Sequence, residues 1–147
     1  MSIIIRKGKL SDISNIHHAL NHTNELRDYG GDDEEYPKTW VRGVVENKSN
    51  NLVLVAEDNK KFVGFTIVHL LKGASDGLAH SLYVVPSYRR KGIASRLLQN
   101  REYYLKNKGY KFVIGLVNVS NKKMQNFMFE HNYNKGNKFY VYWKVLP

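Results

Sequence analysis

Leu82-Tyr83-Val84-Val85-Pro86-Ser87-Tyr88-Arg89-Arg90-Lys91-Gly92-Ile93-Ala94-Ser95-Arg96-Leu97-Leu98 decides how this chain is read. The first four residues are apolar or aromatic and suit a strand, which Pro86 stops. A short basic turn follows, and from Gly92 the apolar residues Ile93, Leu97 and Leu98 fall at helical spacing. Several backbone N–H groups at the start of a helix have no intrahelical partner, and the helix dipole is positive there. A phosphate can accept those hydrogen bonds. Gly92 has no side chain to hold a ligand off, and Ala94 is the next smallest choice on that face. Arg89, Arg90 and Lys91 gather positive charge at the same point. The segment reads as a pyrophosphate cradle in miniature, and the bland alternative is a solvated basic turn that precedes a helix. It is not a Walker loop, which needs two glycines and a Gly-Lys-Ser/Thr ending, nor a dinucleotide fingerprint with its glycines two apart.

Working outward, Ile3-Ile4-Ile5-Arg6 predicts a first strand. Ser11 suits the N-cap of a helix over 12–27, with Ile13, Ile16, His17 and Leu20 on one face, and Gly30-Gly31 breaks it. An acidic stretch ends at Pro37, and a short helix over 38–47 carries Trp40, Val41, Val44 and Val45. Strands over 52–57 and 62–71 flank the turn Asp58-Asn59-Lys60, and a third covers 77–85. The helix after the cradle extends to about residue 107, where Gly109 suits its C-cap. A strand over 111–117 and a helix over 121–131 follow. Lys138 to Val145, with Phe139, Val141 and Trp143 alternating, reads as a last strand. The predicted order is β-α-α-β-β-β-α-β-α-β. This is an α/β (α+β) fold, a mixed and mostly antiparallel sheet of 6–7 strands with helices on both faces.

The 147 residues fit one domain, 1–147, and 42% hydrophobic content is enough for a packed core. No apolar run reaches the roughly 20 residues that cross a bilayer, and the run Ile3-Ile4-Ile5 is too short for a secretory signal. With no Cys there is no disulfide, thiolate metal site or Cys nucleophile. These features point to a cytoplasmic protein without a membrane partner. A net charge of +10 invites nucleic acid, an anionic membrane or an anionic small molecule. Ten tyrosines would serve base stacking. However, five of the 13 acids, Asp28, Asp32, Asp33, Glu34 and Glu35, crowd into one stretch, and no nucleic-acid motif appears, so nucleic acid is disfavoured.

Arg89-Arg90-Lys91-Gly92-Ile93-Ala94 matches the signature Gln/Arg-x-x-Gly-x-Gly/Ala of the GNAT superfamily of acetyl-CoA-dependent N-acetyltransferases. The chain resembles that family over residues 52–134. Leu82 to Tyr88 looks like its strand-and-turn lead-in, and Leu52 to Glu57 with Phe62-Val63-Gly64-Phe65 is like its second and third strands. Val117-Asn118-Val119-Ser120-Asn121, a helix and Asn132-Tyr133 are similar to its N-x-x-N … G-F region.

The resemblance implies a donor site. Backbone amides of Arg89, Lys91, Gly92, Ile93 and Ala94, with Arg90 among them, take the CoA pyrophosphate. Leu82 and Val84 pair their backbone with pantetheine, and Asn121 hydrogen-bonds the same arm; its alternative role is a plain helix N-cap. The acetyl thioester enters where the strands over 77–85 and 111–117 splay. The acceptor amine attacks it directly, with the Val84 N–H as oxyanion donor.

The family's usual acid, a Tyr in the last helix, falls on Met128, and a thioether cannot donate a proton. Tyr133 or Tyr83 could replace it. His80, which alternation puts on the same face as Leu82 and Val84, is a candidate base, as are His69 and Glu57; a packed or surface ring is the alternative for both histidines. Asp32-Asp33-Glu34-Glu35 falls in the family's acceptor wall. It would attract a cationic acceptor, such as a polyamine, a lysine side chain or a peptide N-terminus, or else it is a solvated loop. Met128 also leaves open a protein of this fold that binds CoA without transfer. The last strand offers an edge to a second copy, hence a homodimer.

Gly92→Glu puts bulk and negative charge where a phosphate would sit. Isothermal titration of that variant should show no CoA binding while its circular dichroism stays native; wild-type affinity would show that the cradle is assigned wrongly.

Overall fold

The computed structural model of the chain describes residues 1–26, 35–144 and 146–147. Five strands form one sheet in sequence order: β1 (Ile3–Lys7), β2 (Asn51–Asp58), β3 (Lys61–Leu71), β4 (Asp76–Val84) and β5 (Phe112–Gly115). The first four run antiparallel to their neighbours and β5 runs parallel to β4. The helices are α1 (Ile13–His22), α2 (Lys38–Glu46), α3 (Ile93–Asn107) and α4 (Lys122–Glu130).

Why the sheet sits at the centre follows from β2 and β3. Both carry nearly continuous β-branched and apolar runs, as a strand covered on both faces requires. Val53, Val55, Phe65 and Ile67 pack on one side with α1 and α2 residues such as Ile16, Leu20 and Val41. Leu52, Leu54, Val63 and Val68 pack on the other with Ile93, Leu97 and Leu105 of α3. The helices therefore lie on both faces, as the sequence predicts. Among the described residues no helix is long and apolar enough to cross a membrane.

Three expectations are corrected. Five strands form among the described residues rather than 6–7, because residues 138–144 carry no strand pairing; Val145 lies outside the described residues. Helix α1 stops at His22 rather than continuing to residue 27: Thr23 turns extended and Asn24–Leu26 form a separate 3-10 turn, while residue 27 and the Gly30-Gly31 break lie outside the described residues. Its start is organised by Asp12 rather than Ser11. The buried Asp12 carboxylate accepts from the Lys9 N–H at 2.8 Å and from Arg6 at 2.8 and 2.9 Å, and Arg6 also reaches Glu57 at 2.8 Å. One guanidinium thus ties β1, β2 and the entry to α1.

Two details of the β3–β4 pair shape the site. Ile67 faces Ser81 but Val68 faces Ala79, so His80 is the extra residue of a β-bulge. A Cβ on Gly64 would lie 2.6 Å from the Tyr83 carbonyl oxygen, a rigid backbone atom. Gly64→Ala should therefore destabilise the fold by about 1–3 kcal/mol, read as a lower urea midpoint; an unchanged midpoint would mean that the two strands do not approach this closely.

Candidate active site

Strands β4 and β5 pair from Asp76↔Phe112 to Ala79↔Gly115, and there β5 ends. β4 runs on to Val84 with one edge unpaired. The Val85 N–H donates to Val63 O at 2.8 Å, so the backbone groups of Val84, one residue earlier, turn to the free edge, and those of Leu82 do likewise. The Val84 carbonyl there accepts from Arg89 Nε at 2.9 Å. Its N–H points along the same open edge.

Past Val84 the chain makes one 3-10 turn, Pro86–Tyr88, and reaches α3. Arg90 (φ 64°) and Gly92 (φ 79°) are both left-handed; such strain in a non-glycine residue clusters at functional sites. The first intrahelical bond is Arg96 N–H to Gly92 O at 3.1 Å, so the N–H groups of Ile93, Ala94 and Ser95 precede the ladder, and no side chain caps them. A Cβ built on Gly92 meets nothing within 4 Å. The Lys91 ammonium lies 5.5 Å from the centre of the Tyr88 ring, whose hydroxyl donates to Asp58 at 3.0 Å. The chain's charge is lopsided about this point: residues 77–147 hold thirteen of the 23 Lys and Arg but only two of the 13 acids, Glu102 and Glu130. The whole excess of positive charge belongs to the half that builds the cradle.

The predicted donor-side residues Leu82, Val84, Arg89, Arg90, Lys91, Gly92, Ile93 and Ala94 thus form one continuous stretch of free edge and helix start. Asn121 stands at the head of α4, where its Oδ1 accepts from the Met124 N–H at 3.1 Å.

His80 is placed differently from expectation. Leu82 and Val84 face α3, whereas the bulge turns His80 to the α2 face. There it meets Trp40 (ring centroids 5.2 Å), His69 (5.3 Å) and the Tyr36 hydroxyl, 3.1 Å from Nε2. Burial, and secondarily the neighbouring His69, push its pKa down to about 4, so the ring is uncharged at neutral pH. Burial lowers His69 as well; its Nδ1 lies 2.7 Å from Asn51 Oδ1. The Tyr36 backbone is anchored to α1 by the side-chain amide of Asn21, whose Oδ1 accepts from the Tyr36 N–H at 2.7 Å and whose Nδ2 donates to the Tyr36 carbonyl at 3.1 Å. Glu35, next in the chain, is exposed, and Asp28, Asp32, Asp33 and Glu34 lie outside the described residues.

Tyr133 lies on the α3 side. Its hydroxyl donates to Glu102 Oε1 at 2.9 Å, and burial chiefly raises its pKa, so it keeps its proton. Arg101, 1% exposed, reaches Thr66 Oγ1 at 3.1 Å and the Tyr133 oxygen at 3.5 Å. Among the described residues no carboxylate pairs with it directly. Asn132 (φ 64°) makes the left-handed turn that the sequence permits there.

Sequence reading placed Trp40 on the helix over 38–47 without a role at the site and missed Tyr36 as a neighbour of His80. The signal was the bulge, which inverts the face of one residue and leaves no mark in composition. Trp40 also stands beside Val41, Val44 and Val45, which already fill the buried face of α2.

Residues 15–133 match the acetyltransferase (GNAT) family. The chain is 26% identical over 147 residues to an uncharacterized N-acetyltransferase, YhfO, of Bacillus subtilis (strain 168), covering 97% of each. The fold is similar to that of the PaiA N-acetyltransferase of Thermoplasma acidophilum in complex with coenzyme A, with a TM-score of 0.75, 22% identity and coverage of 96% and 95%. It is also similar to the ribosomal-protein-S18-alanine N-acetyltransferase of Escherichia coli, with a TM-score of 0.74, 17% identity and coverage of 92% of this chain and 80% of that one.

The buried His80 has a pH signature. Its pKa is below the ordinary value of 6.5, so the unfolded chain binds the proton more readily. The stability from this site should be fully present above pH 6.5 and be lost as pH falls toward 4, by up to about 3 kcal/mol. His80→Phe should flatten the denaturation profile in that window; an unaltered slope would mean that the ring is not buried in its neutral form.

Proposed function

Because the chain belongs to the acetyltransferase (GNAT) family, we propose that it moves an acetyl group from acetyl-CoA to an amine, acting as a single domain over residues 1–147 in the cytoplasm. The observation that carries this reading is the uncapped start of α3 lying end-on to the free edge of β4. Three N–H groups outside the helical ladder, an open space over Gly92 and a strongly basic surround fit a pyrophosphate. A free strand edge fits the amide-bearing arm that follows it. When bound, acetyl-CoA supplies the activated acetyl thioester.

The chain's own residues would do the rest. The amides of Ile93 and Ala94, with Gly92 and the Arg89-Arg90-Lys91 turn, hold the phosphates. Leu82 and Val84 pair with the pantetheine arm. Asn121 contributes through Nδ2, since its Oδ1 is engaged in capping α4. The Val84 N–H polarises the carbonyl oxygen.

The acceptor approaches from the α2 face, past Tyr36 and Trp40, whose rings favour a cation. Glu35 and the acids Asp32, Asp33 and Glu34 of the same stretch add attraction for an ammonium, such as a polyamine, a lysine side chain or the N-terminus of a basic peptide. His80 is the candidate base. An uncharged ring can take a proton, but a pKa near 4 makes it a weak base, so the rate should climb with pH as the acceptor itself deprotonates. Tyr133 is the candidate acid, at the cost of its bond to Glu102. A second reading, CoA binding without transfer, is favoured by one observation: Met128 stands where the family's usual proton donor would be.

Isothermal titration with acetyl-CoA should give micromolar or tighter binding, and a panel of polyamines and basic peptides should then show turnover. Undetectable binding would overturn the acetyl-transfer reading, and binding without turnover would establish the second one. His80→Gln should lower kcat by about 10²–10⁴-fold with the acetyl-CoA Kd unchanged; an equal kcat would leave His80 as wall rather than base.

A further inference from the structure

We propose that a cavity at the opposite end of α3 from the cradle binds a small diphosphate anion. The cavity measures about 390 Å³, within the range of sites for small molecules. Three segments form its walls: the turn after α2, the connection between β3 and β4, and the end of α3. Backbone hydrogen bonds tie these segments to the sheet and to one another. The Leu70 N–H donates to Asn50 O at 2.8 Å, and the Lys111 N–H donates to Ser75 O at 2.9 Å. Helix α3 has 15 residues. At about 1.5 Å of rise for each, the cavity lies roughly 20 Å from Gly92.

Its charge is one-sided. Lys48, Lys72 and Lys108 line it, one from each segment, and no acid does. A smaller cleft shares Lys48 and Lys108 and adds Lys7, again without an acid. The acids nearest in sequence, Glu46 and Asp76, line neither, and Glu46 is engaged with Arg42 at 3.3 Å. Among the described residues, the ammonium groups of Lys48, Lys72 and Lys108 make no hydrogen bond or ion pair. Like charges gathered without a counter-charge repel one another and cost stability. At about −1.5 to −2 for each phosphate group, a diphosphate balances three ammonium groups and a single phosphate does not. Ser75 adds a hydroxyl to the wall, and Leu70 and Tyr110 give it an apolar side on which a nucleoside can rest.

Lysines also collect at helix C-termini, where they complement the dipole. That role does not account for this cluster. Lys72 belongs to no helix. The last carbonyls of α3 already accept from the main chain: Lys108 N–H reaches Tyr104 O and Leu105 O at 3.2 Å, and Gly109 N–H reaches Lys106 O at 3.0 Å. At the end of α2 the Asn47 N–H reaches Gly43 O at 2.9 Å, and the Lys48 N–H reaches Glu46 O at 3.0 Å. The helix ends are served by backbone, and the ammonium groups are left for a ligand.

A nucleic acid is the other occupant that positive charge suggests. A strand of nucleic acid follows a groove and stacks its bases on aromatic rings. Here the lysines converge from three segments on one recess, which suits a small molecule better. The site does not depend on the acetyl-transfer reading.

Amide NMR of the full chain, titrated with sodium pyrophosphate and separately with ADP, tests the proposal. The expected result is saturable shifts at residues 48–51, 70–75 and 108–111, with a Kd below about 1 mM that weakens as salt is raised. Shifts confined to 89–95 would mean that only the cradle takes phosphate, and would overturn it. Tighter binding of ADP would place a nucleoside against Tyr110 and Leu70, whereas equal affinity would show that the diphosphate alone is recognised; either supports the site. Lys72→Gln and Lys108→Gln should each raise the Kd about tenfold. Without ligand, both variants should melt at or above the wild-type temperature, because one repelling charge is gone. A lower melting temperature for Lys108→Gln would mean that this lysine serves the helix end, against the proposal. Binding of a single-stranded oligonucleotide with no response to either diphosphate would assign the lysines to nucleic acid instead.

Discussion

The site depends on one loss of pairing. β4 has a neighbour on each side up to Ala79 and on one side only afterwards. An unpaired edge at the centre of a sheet is normally a liability, because its donors and acceptors seek partners. Here the carbonyl of Val84 is taken by Arg89 of the following turn, while the other groups of that edge stay directed into the gap between β4 and β5. The same parting aims the end of β4 at the start of α3, so that the open edge at Val84 and the helix start flank the turn Pro86–Tyr88, where Pro86 lacks an N–H and those of Val85, Tyr88 and Arg89 are already engaged. Side chains play a smaller part in this arrangement than the direction of the main chain.

The rest of the core holds that geometry in place. β2 and β3 are buried on both faces and fix the sheet between α1–α2 and α3. The close approach of Gly64 to Tyr83 lets β3 and β4 pack tightly beside the point of parting. Arg101, buried on α3, reaches Thr66, whose hydroxyl donates to the Ser81 carbonyl at 2.7 Å. The helix is thereby tied by a chain of polar contacts to the strand whose end it continues. A buried cation with no direct carboxylate partner is costly; through Tyr133 it shares in the charge of Glu102.

Much of this was legible in the sequence. The segment from Leu82 to Leu98 shows its strand, its turn and its helix without ambiguity, because Pro86 and Gly92 punctuate it and the apolar spacing changes period across it. The element order and the two-sided sheet follow from the continuous apolar runs of β2 and β3. What could not be read has a physical reason in each case. The bulge at His80 is a tertiary feature: strict alternation put the ring beside Val84, and one extra residue against Ile67 sent it to the other face. The last strand was inferred from the alternation of Phe139, Val141 and Trp143, which records a capacity to pair and not the presence of a partner. The N-terminus of α1 was assigned to Ser11 because a hydroxyl is the usual cap, whereas an ion pair to Arg6 selects Asp12.

The cradle has a further implication for economy in the cell. On the reading proposed, the chain grips its donor by phosphates that the reaction never touches. The spent carrier has the same phosphates, so the grip cannot tell a loaded molecule from an empty one. The product must therefore compete with its own precursor for Gly92 and the turn before it. Such a catalyst responds to the ratio of the two forms and slows itself wherever the unloaded form accumulates.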